Sequence, residues 1–277
     1  MIIKRLLAVF VLVASVGYAA GAQSFSWSRA RMDGSRTGVR ACGADDVKEC
    51  LGEMKGKRYL SPGGRTFRGG VTPKVAGLLI DSQKTMSEVK EVIAYAPKAM
   101  IRRSPECELS DWFIDELMRA AEEKSGKKVD FGITNFGGIR VDMPQGDVIL
   151  DDILSMFPFK NNLCYLELKG KDIRAILEQL AATRWQCVGG ARCVVKDGKL
   201  ISAEIGGEPI DDERVYGVAT ISFLLNGGDD LFVARNALRL DIFDCYIIDI
   251  ILPYVESLTA QGKYVEYQTD GRIKYID

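Results

Sequence analysis

The interleaving of helical and strand-like segments most constrains the fold of this chain. Apolar residues recur at helical spacing in 112–121 and again in 173–180. Runs rich in β-forming residues lie between and after these helices, at 129–134, 163–168, 193–196, 200–205 and 215–221. The segments do not follow the strict strand–helix alternation of a doubly wound parallel fold. The pattern therefore predicts an α+β domain, with helices packed on a mixed β-sheet.

Helix boundaries are marked by local signals. Either Ser110 or Glu108 can cap the helix that carries 112–121, and Gly126 ends it. A last long helix is predicted over 244–258, with a bend at Pro253.

The N-terminus has the features of a secretory signal peptide. Lys4 and Arg5 precede a short apolar run and small residues that end at Ala22. Residues 1–22 are thus predicted to be removed, and the mature chain to be exported to the periplasm or the extracellular space. The alternative is a membrane anchor, but the apolar run is shorter than the roughly 20 residues of a spanning helix, so no membrane span is predicted.

The mature chain divides into a leader and a domain. Residues 23–75 are rich in Arg, Gly, Ser and Lys and show no sustained periodicity, which predicts an irregular leader. Residues 76–277 form the predicted domain. The net charge of −1 means that the chain has no excess of positive charge for binding nucleic acid, so no nucleic-acid partner is predicted.

Seven cysteines in an exported chain permit disulfides. Cys187 and Cys193 bracket a turn-like segment and are one candidate pair, and Cys42 and Cys50 are another. The odd number leaves at least one thiol free. Cys164 and Cys245 lie in apolar stretches and are predicted to be buried small hydrophobes.

A loop at 135–140 carries groups suited to a phosphate. It follows a predicted buried strand, and Gly137 and Gly138 permit positive φ and a close approach of backbone amides to a ligand. Arg140 adds a planar guanidinium that matches a phosphate, and Asn135 adds an amide for a base or sugar edge. By itself, such a stretch is more often a sharp turn with an exposed arginine.

Two aromatic residues extend this set. Phe159 follows a helix stop at Pro158, and Phe223 precedes the loop at 226–229, which ends in the carboxylate of Asp229. Two aromatic faces can hold a heterocycle between them, and a carboxylate can accept hydrogen bonds from ribose hydroxyls. Each phenylalanine alone is more often a core residue.

The ordered series of these motifs resembles the C-terminal domain of the 5′-nucleotidase family. The resemblance implies that family's C-terminal-domain fold and the binding of a purine nucleotide or nucleoside. It also implies that a separate metallophosphatase domain, holding two metal ions, performs the hydrolysis. The substrate-binding residues it implies are Asn135, Gly137, Gly138, Arg140, Phe159, Phe223, Asn226, Gly228 and Asp229. Among them Phe159 and Phe223 resemble the pair that stacks on the base, Asn135 the base contact, Gly138 and Arg140 the phosphate loop, and Asp229 the ribose-binding acid.

The chain departs from the family pattern at three positions. Phe136 stands where a third glycine is usual, so a bulkier loop is expected. Pro105 occupies the position at which the family has a phosphate-binding arginine. Glu108 occupies the position of a family asparagine. Arg102 or Arg103 could substitute for the missing arginine.

The absence of histidine bears on catalysis. A dimetal phosphatase site is built from several histidines with Asp and Asn ligands, and the chain has none. Asp147, Asp151 and Asp152 could bind Mg²⁺, or they could form the negative first turn of a helix at 150–156. We therefore predict no catalytic residue, metal or cofactor in this chain, with divalent metals only in a separate metallophosphatase chain. The alternative function is a non-catalytic exported protein that binds a nucleoside or nucleotide, or that acts as a scaffold.

Overall fold

The computed structural model describes residues 37–40, 42 and 45–276. The predicted signal peptide at 1–22 lies outside the described residues. The chain divides into two compact units, and the second unit contains residues 78–277. None of the helices in the described ranges is long and apolar enough to cross a membrane.

The first unit contains short regular elements. They are α1 (Val47–Leu51), β1 (Glu53–Lys55), β2 (Arg58–Leu60), β3 (Thr66–Phe67) and the start of α2 (Val71–Ser82). The strands form an antiparallel sheet in the order β1-β2-β3, and the buried Tyr59 donates a hydrogen bond to the Leu51 carbonyl at 2.7 Å. The described part of the predicted leader is therefore not irregular. Strands of two or three residues are too short to show an alternating pattern in the sequence.

The second unit confirms the predicted α+β class. Its elements are β4 (Val92–Ala96), α3 (Glu108–Ser125), β5 (Phe131–Thr134), β6 (Gly146–Ile149), α4 (Leu150–Met156), β7 (Asn162–Lys169), α5 (Gly170–Ala182), β8 (Cys187–Gly189), β9 (Ala191–Lys196), β10 (Lys199–Ile205), β11 (Glu208–Pro209), β12 (Val215–Ile221), β13 (Arg239–Tyr246), α6 (Ile248–Ala260) and β14 (Ile273–Tyr275).

A five-stranded mixed sheet organises this unit, in the order β13-β7-β12-β5-β8. β12 and β5 are parallel, with Val218 opposite Phe131, whereas β7 is antiparallel to β12, with Ile221 opposite Leu163. The ends of β5 and β12 and the start of β7 therefore meet at one edge of the sheet, which we call the carboxyl edge. A second sheet has the order β11-β10-β9-β14, and β4 pairs with β6.

The long helix α3 packs Trp112, Phe113 and Leu117 into the core. It ends at Gly126 in the left-handed conformation (φ 64°), as predicted. The predicted cap was wrong, because neither Ser110 nor Glu108 precedes the helix. The cap is Cys107, whose sulfur accepts from the Ser110 amide at 3.4 Å, while the Ser110 hydroxyl accepts from the Cys107 amide at 3.0 Å. Cysteine is not among the residues favoured at this position, so the sequence did not indicate it.

The predicted helix over 244–258 begins too early. β13 continues to Tyr246, and α6 starts at Ile248, with Pro253 inside it. The Asp249 carboxylate accepts from the Tyr246 amide at 2.8 Å and so stabilises the turn between the two elements. The apolar residues that follow Asp244 continue from β13 into α6, and a continuous apolar run does not show where a strand ends and a helix begins.

Neither candidate disulfide is present. Cys187 and Cys193 are free, buried thiols on strands that belong to different sheets. The Cys50 thiol donates to the Asp46 carboxylate at 2.9 Å instead of joining Cys42. Cys164 is buried as predicted, and burial raises its pKa to about 12; Cys245 is half-buried.

A buried ionic cluster fastens the C-terminal segment to α3. Arg272 is 6% exposed, and its guanidinium lies 2.6 Å from Asp115 Oδ2, 2.9 Å from Asp270 Oδ1 and 3.6 Å from Asp111 Oδ2. The carboxylates of Glu106, Asp111 and Asp270 are close enough together to hold a metal ion. The guanidinium of Arg272 already supplies the positive charge there, so we interpret the cluster as structural.

Asp111 makes the stability of this cluster depend on pH. Burial raises the pKa of its carboxyl to about 8, against the opposing effect of Arg272. The folded chain thus binds this proton more tightly than the unfolded chain, and the resulting stability is lost as pH rises from about 4 towards about 8. The side chain introduced in the variant Asp111→Asn cannot ionise. As pH rises from about 5 to about 8, we therefore expect the free energy of unfolding, measured by urea titration, to fall less for this variant than for wild type.

The matched control is Asp212→Asn, at an exposed carboxylate that pairs with Arg174. It should leave the wild-type pH dependence unchanged. Equal pH slopes for wild type and Asp111→Asn would contradict the expectation.

Candidate functional site

The carboxyl edge brings together the three segments that carry the predicted site. Residues 135–140 follow β5, residues 222–231 follow β12, and residues 157–161 precede β7. The segment after β12 is tied to the start of β7, because the Asn162 amide donates to the Ser222 hydroxyl at 3.0 Å. The pairing of β5, β7 and β12 thus positions loops that lie far apart in the sequence.

A side-chain hydrogen bond links two predicted site residues across the edge. Asn135 Nδ2 donates to Asp229 Oδ2 at 2.8 Å. Asn135 is buried, whereas Asp229 is more open to solvent and adopts a left-handed conformation (φ 49°). The amide nitrogen of Asn135 is therefore used to orient the carboxylate of Asp229.

The position of the Asn135 side chain explains why residues 137 and 138 are both glycine. A Cβ at Gly138 would lie 2.9 Å from Asn135 Oδ1, and one at Gly137 would lie 3.1 Å from Asn135 Nδ2. Neither glycine has a positive φ, so the predicted backbone reason was wrong; residues 136–138 form a 3-10 turn. Glycine is needed because the Asn135 side chain folds back over the turn.

Phe136 belongs to the hydrophobic core, and it also lines a cavity beside the loop. Its ring is buried, and its amide donates to Gln186 Oε1 at 3.0 Å. Gln186 Nε2 in turn lies 3.5 Å from Asp229 Oδ2. Gln186 is a site residue that the sequence did not reveal, since a single glutamine after α5 carries no motif.

Arg140 faces solvent beside one of the predicted aromatic residues. Its backbone amide donates to the Met156 carbonyl at 2.9 Å, and its Nη1 donates to the Gly137 carbonyl at 3.3 Å. The guanidinium carbon lies 5.7 Å from the centre of the Phe159 ring, within cation–π range. The structure therefore places a cation and an aromatic face side by side.

Both predicted aromatic residues expose their rings. Phe159 is 46% exposed and Phe223 is 44% exposed, which excludes the interpretation of either as a core residue. Gly228 permits the loop to fold against Phe223, because a Cβ there would lie 2.2 Å from the Phe223 carbonyl oxygen. Asn226 is exposed in the same loop.

Arg102, a candidate substitute for the missing arginine, and Glu108, one of the departing positions, both have partners within the chain. Arg102 Nη1 donates to the Phe136 carbonyl at 3.3 Å and to the Ile139 carbonyl, so this guanidinium fastens the loop. Glu108 pairs with Lys98 at 3.1 Å. Beside the loop lies a cavity of about 620 Å³, whose lining includes Arg102, Gly137, Arg184, Gln186 and Asp229.

The acidic residues near α4 behave as the structural interpretation expects. Asp152 Oδ2 accepts from the Ile149 amide at 2.9 Å and so caps the helix, while Asp151 accepts from the Ser155 hydroxyl at 3.3 Å. Asp147 lies in β6, opposite Tyr95. These contacts support helix capping rather than a Mg²⁺ site.

Comparison with known proteins identifies the family of the chain. The family model of the 5′-nucleotidase C-terminal domain matches residues 87–235, just over half of the chain. The chain belongs to this family. The match includes all nine predicted site residues.

Individual relatives support the same assignment. Protein UshA of Salmonella pullorum is 34% identical over 105 residues, covering 36% of this chain and 19% of that protein. The trifunctional nucleotide phosphoesterase protein YfkN of Bacillus subtilis is 30% identical over 191 residues, covering 63% of this chain and 13% of that protein. The chain therefore spans only a minor part of the length of these relatives.

The fold is also found in a solved structure. The 5′-nucleotidase precursor from Thermus thermophilus superposes with a TM-score of 0.65 at 24% identity, covering 79% of this chain and 45% of that one. At this identity the likeness establishes the fold alone.

Proposed function

We propose that this chain is the nucleotide- and nucleoside-binding part of a 5′-nucleotidase-type hydrolase system in nucleotide catabolism. The observation that carries the proposal is the hydrogen bond between Asn135 and Asp229, at the same sheet edge as two half-exposed phenylalanine rings. Exposed aromatic rings at the same sheet edge as an oriented carboxylate suit a ligand with a flat base and a hydroxylated sugar.

Each group then has a defined role. Phe159 and Phe223 stack on the two faces of a purine base, and the Asp229 carboxylate accepts hydrogen bonds from the ribose hydroxyls. Arg140, beside Phe159, binds the phosphate by charge-assisted hydrogen bonds. Gln186 and Asn135 act as positioning residues, since both contact Asp229.

Hydrolysis is assigned to another chain. The two-metal site of the family relies on histidine ligands, and this chain has none, so its residues do not fit that site. We propose that a separate metallophosphatase supplies the metals and the attacking water after export of this chain. The alternative is a non-catalytic binding or scaffold protein, and the pairing of Glu108 with Lys98 favours it, because that position then offers no phosphate ligand.

Calorimetric titration with adenosine and with AMP tests the proposal. We expect AMP to bind more tightly than adenosine, and Arg140→Gln to remove most of this difference, about tenfold or more, because a charge-assisted hydrogen bond is lost. The control Arg235→Gln removes an arginine that lies over Phe232 and should not change the difference.

Equal affinities for AMP and adenosine in the wild-type chain would overturn the phosphate-binding role. Absence of binding for both ligands would overturn the nucleotide-binding function of the isolated chain. Phosphate release from AMP on addition of a candidate metallophosphatase, lost in Arg140→Gln, would separate the hydrolase system from the non-catalytic alternative.

A further inference from the structure

The edge strand β13 of the five-stranded sheet exposes apolar side chains on one face. It pairs with β7 on one side only, among the strands that the structure describes, and this pairing is regular from Arg239 to Ile242. Leu238, immediately before the strand, is 58% exposed, and Leu240 and Ile242 within it are 41% and 55% exposed. An exposed apolar edge strand offers unpaired backbone groups to another strand.

The other edge strands of the two larger sheets are protected. β8 and β14 have three residues each, and β11 has two, one of which is Pro209. Short strands and proline are the usual means of preventing edge-to-edge pairing. The segment 238–242 contains no proline, and the irregular pairing of β13 starts only after Ile242, so this segment lacks such protection.

The side chains of β13 are complementary to those of a second copy. In an antiparallel pair related by a two-fold axis through Leu240, Leu240 lies opposite itself and Leu238 lies opposite Ile242. On the other face, Arg239 of each copy lies opposite Asp241 of its partner. Within one chain these two side chains are already paired at 2.6 Å, so the pairing would become a network of four charges.

Neighbouring registers are unfavourable. Equivalent side chains of the two copies lie on the same face of the sheet only if the two-fold axis passes through a residue, because side chains alternate between faces. The register can therefore change only when the axis moves to another residue. A shift of the axis to Arg239 puts two arginines opposite each other, and a shift to Asp241 puts two aspartates opposite each other. Like charges directly opposite are destabilising, so both adjacent registers are less favourable than the register about Leu240.

We propose that two copies of this chain associate through β13, in antiparallel register about Leu240, to form one continuous sheet across a two-fold axis. The dimer surface is independent of the proposed nucleotide site, because β13 lies on one side of β7 and the site-bearing strands β12 and β5 lie on the other.

Sedimentation equilibrium of the full chain tests the proposal. We expect a concentration-dependent mass that rises towards twice that of one chain. Asp241→Arg places arginine opposite arginine and should weaken the dimer by about tenfold or more, whereas the double variant Arg239→Asp/Asp241→Arg should restore it. Thermal melts verify that each variant is folded.

Crosslinking checks the register. Opposite residues of an antiparallel pair are about 4.5–5.5 Å apart at Cα, a separation that a disulfide can span. Leu240→Cys should therefore form a covalent dimer under mild oxidation. Ile242→Cys should not, because its two copies are separated by about four residues, roughly 13 Å. The wild-type chain controls for Cys245.

Three results would overturn the proposal. They are a monomer at every concentration, a dimer that Asp241→Arg leaves unchanged, and crosslinking through Ile242→Cys in preference to Leu240→Cys.

Discussion

Replacement of Phe159 by alanine is expected to weaken adenosine binding by roughly one to two orders of magnitude. A base–aromatic stack contributes about 1–3 kcal/mol, and alanine removes the whole ring. The ring is 46% exposed, so its loss should cost the fold little and the change in affinity can be assigned to the ligand. Calorimetric titration measures the effect, and Phe223→Ala should behave in the same way.

Two matched variants make the result specific. Phe159→Tyr retains an aromatic face and should bind within a few-fold of wild type. Tyr275→Ala removes a similarly exposed ring from β14, in a different sheet, and should leave the affinity unchanged. Unaltered adenosine binding by a folded Phe159→Ala would show that this ring does not stack on the base.

Replacement of Arg272 by leucine is expected to reduce the free energy of unfolding by about 3–5 kcal/mol at neutral pH. The guanidinium contacts Asp111, Asp115 and Asp270, and it also donates to the Val188 carbonyl at 3.0 Å. Its removal leaves Asp115 without its cation in a partly buried site. Urea denaturation, followed by circular dichroism, measures the loss.

Arg192 provides the matched control, because it also pairs with Asp270, at 3.0 Å, but is exposed. Exposed ion pairs contribute about 0–1 kcal/mol, so Arg192→Leu should have a small effect. Adding Asp115→Asn to Arg272→Leu should recover part of the loss, since the double variant no longer holds that unpaired charge. A loss below about 1 kcal/mol for Arg272→Leu alone would contradict the structural role of the cluster.

Local patterns were sufficient for the elements that bury a clear face. The predicted helix at 150–156 and strand at 215–221 have the observed boundaries, and Gly126 ends α3 as expected. Such segments carry their own periodicity and end signals, so neighbours in space do not change them. β13 was missed because its apolar end continues directly into that of α6, and β1–β3 were missed because two or three residues are too few to show a period.

The site was predictable as three motifs but not as one surface. The glycines, Arg140 and the two phenylalanines can be read from the sequence because each stands in a recognisable local order. The roles of Gln186 and Arg102 cannot be read from the sequence, because both residues act through contacts with residues that lie more than thirty positions away. The contact between Asn135 and Asp229 spans 94 positions.

The sequence by itself determined the mixed helix-and-strand class, the family, and the absence of histidine ligands for a dimetal centre. These properties depend on composition and local order alone. Only the tertiary structure decided that the three loops converge, because the parallel pairing of β5 with β12 and the antiparallel pairing of β7 bring their ends to one edge. It also decided which carboxylate is oriented and which rings are exposed, since both depend on packing between segments distant in the chain.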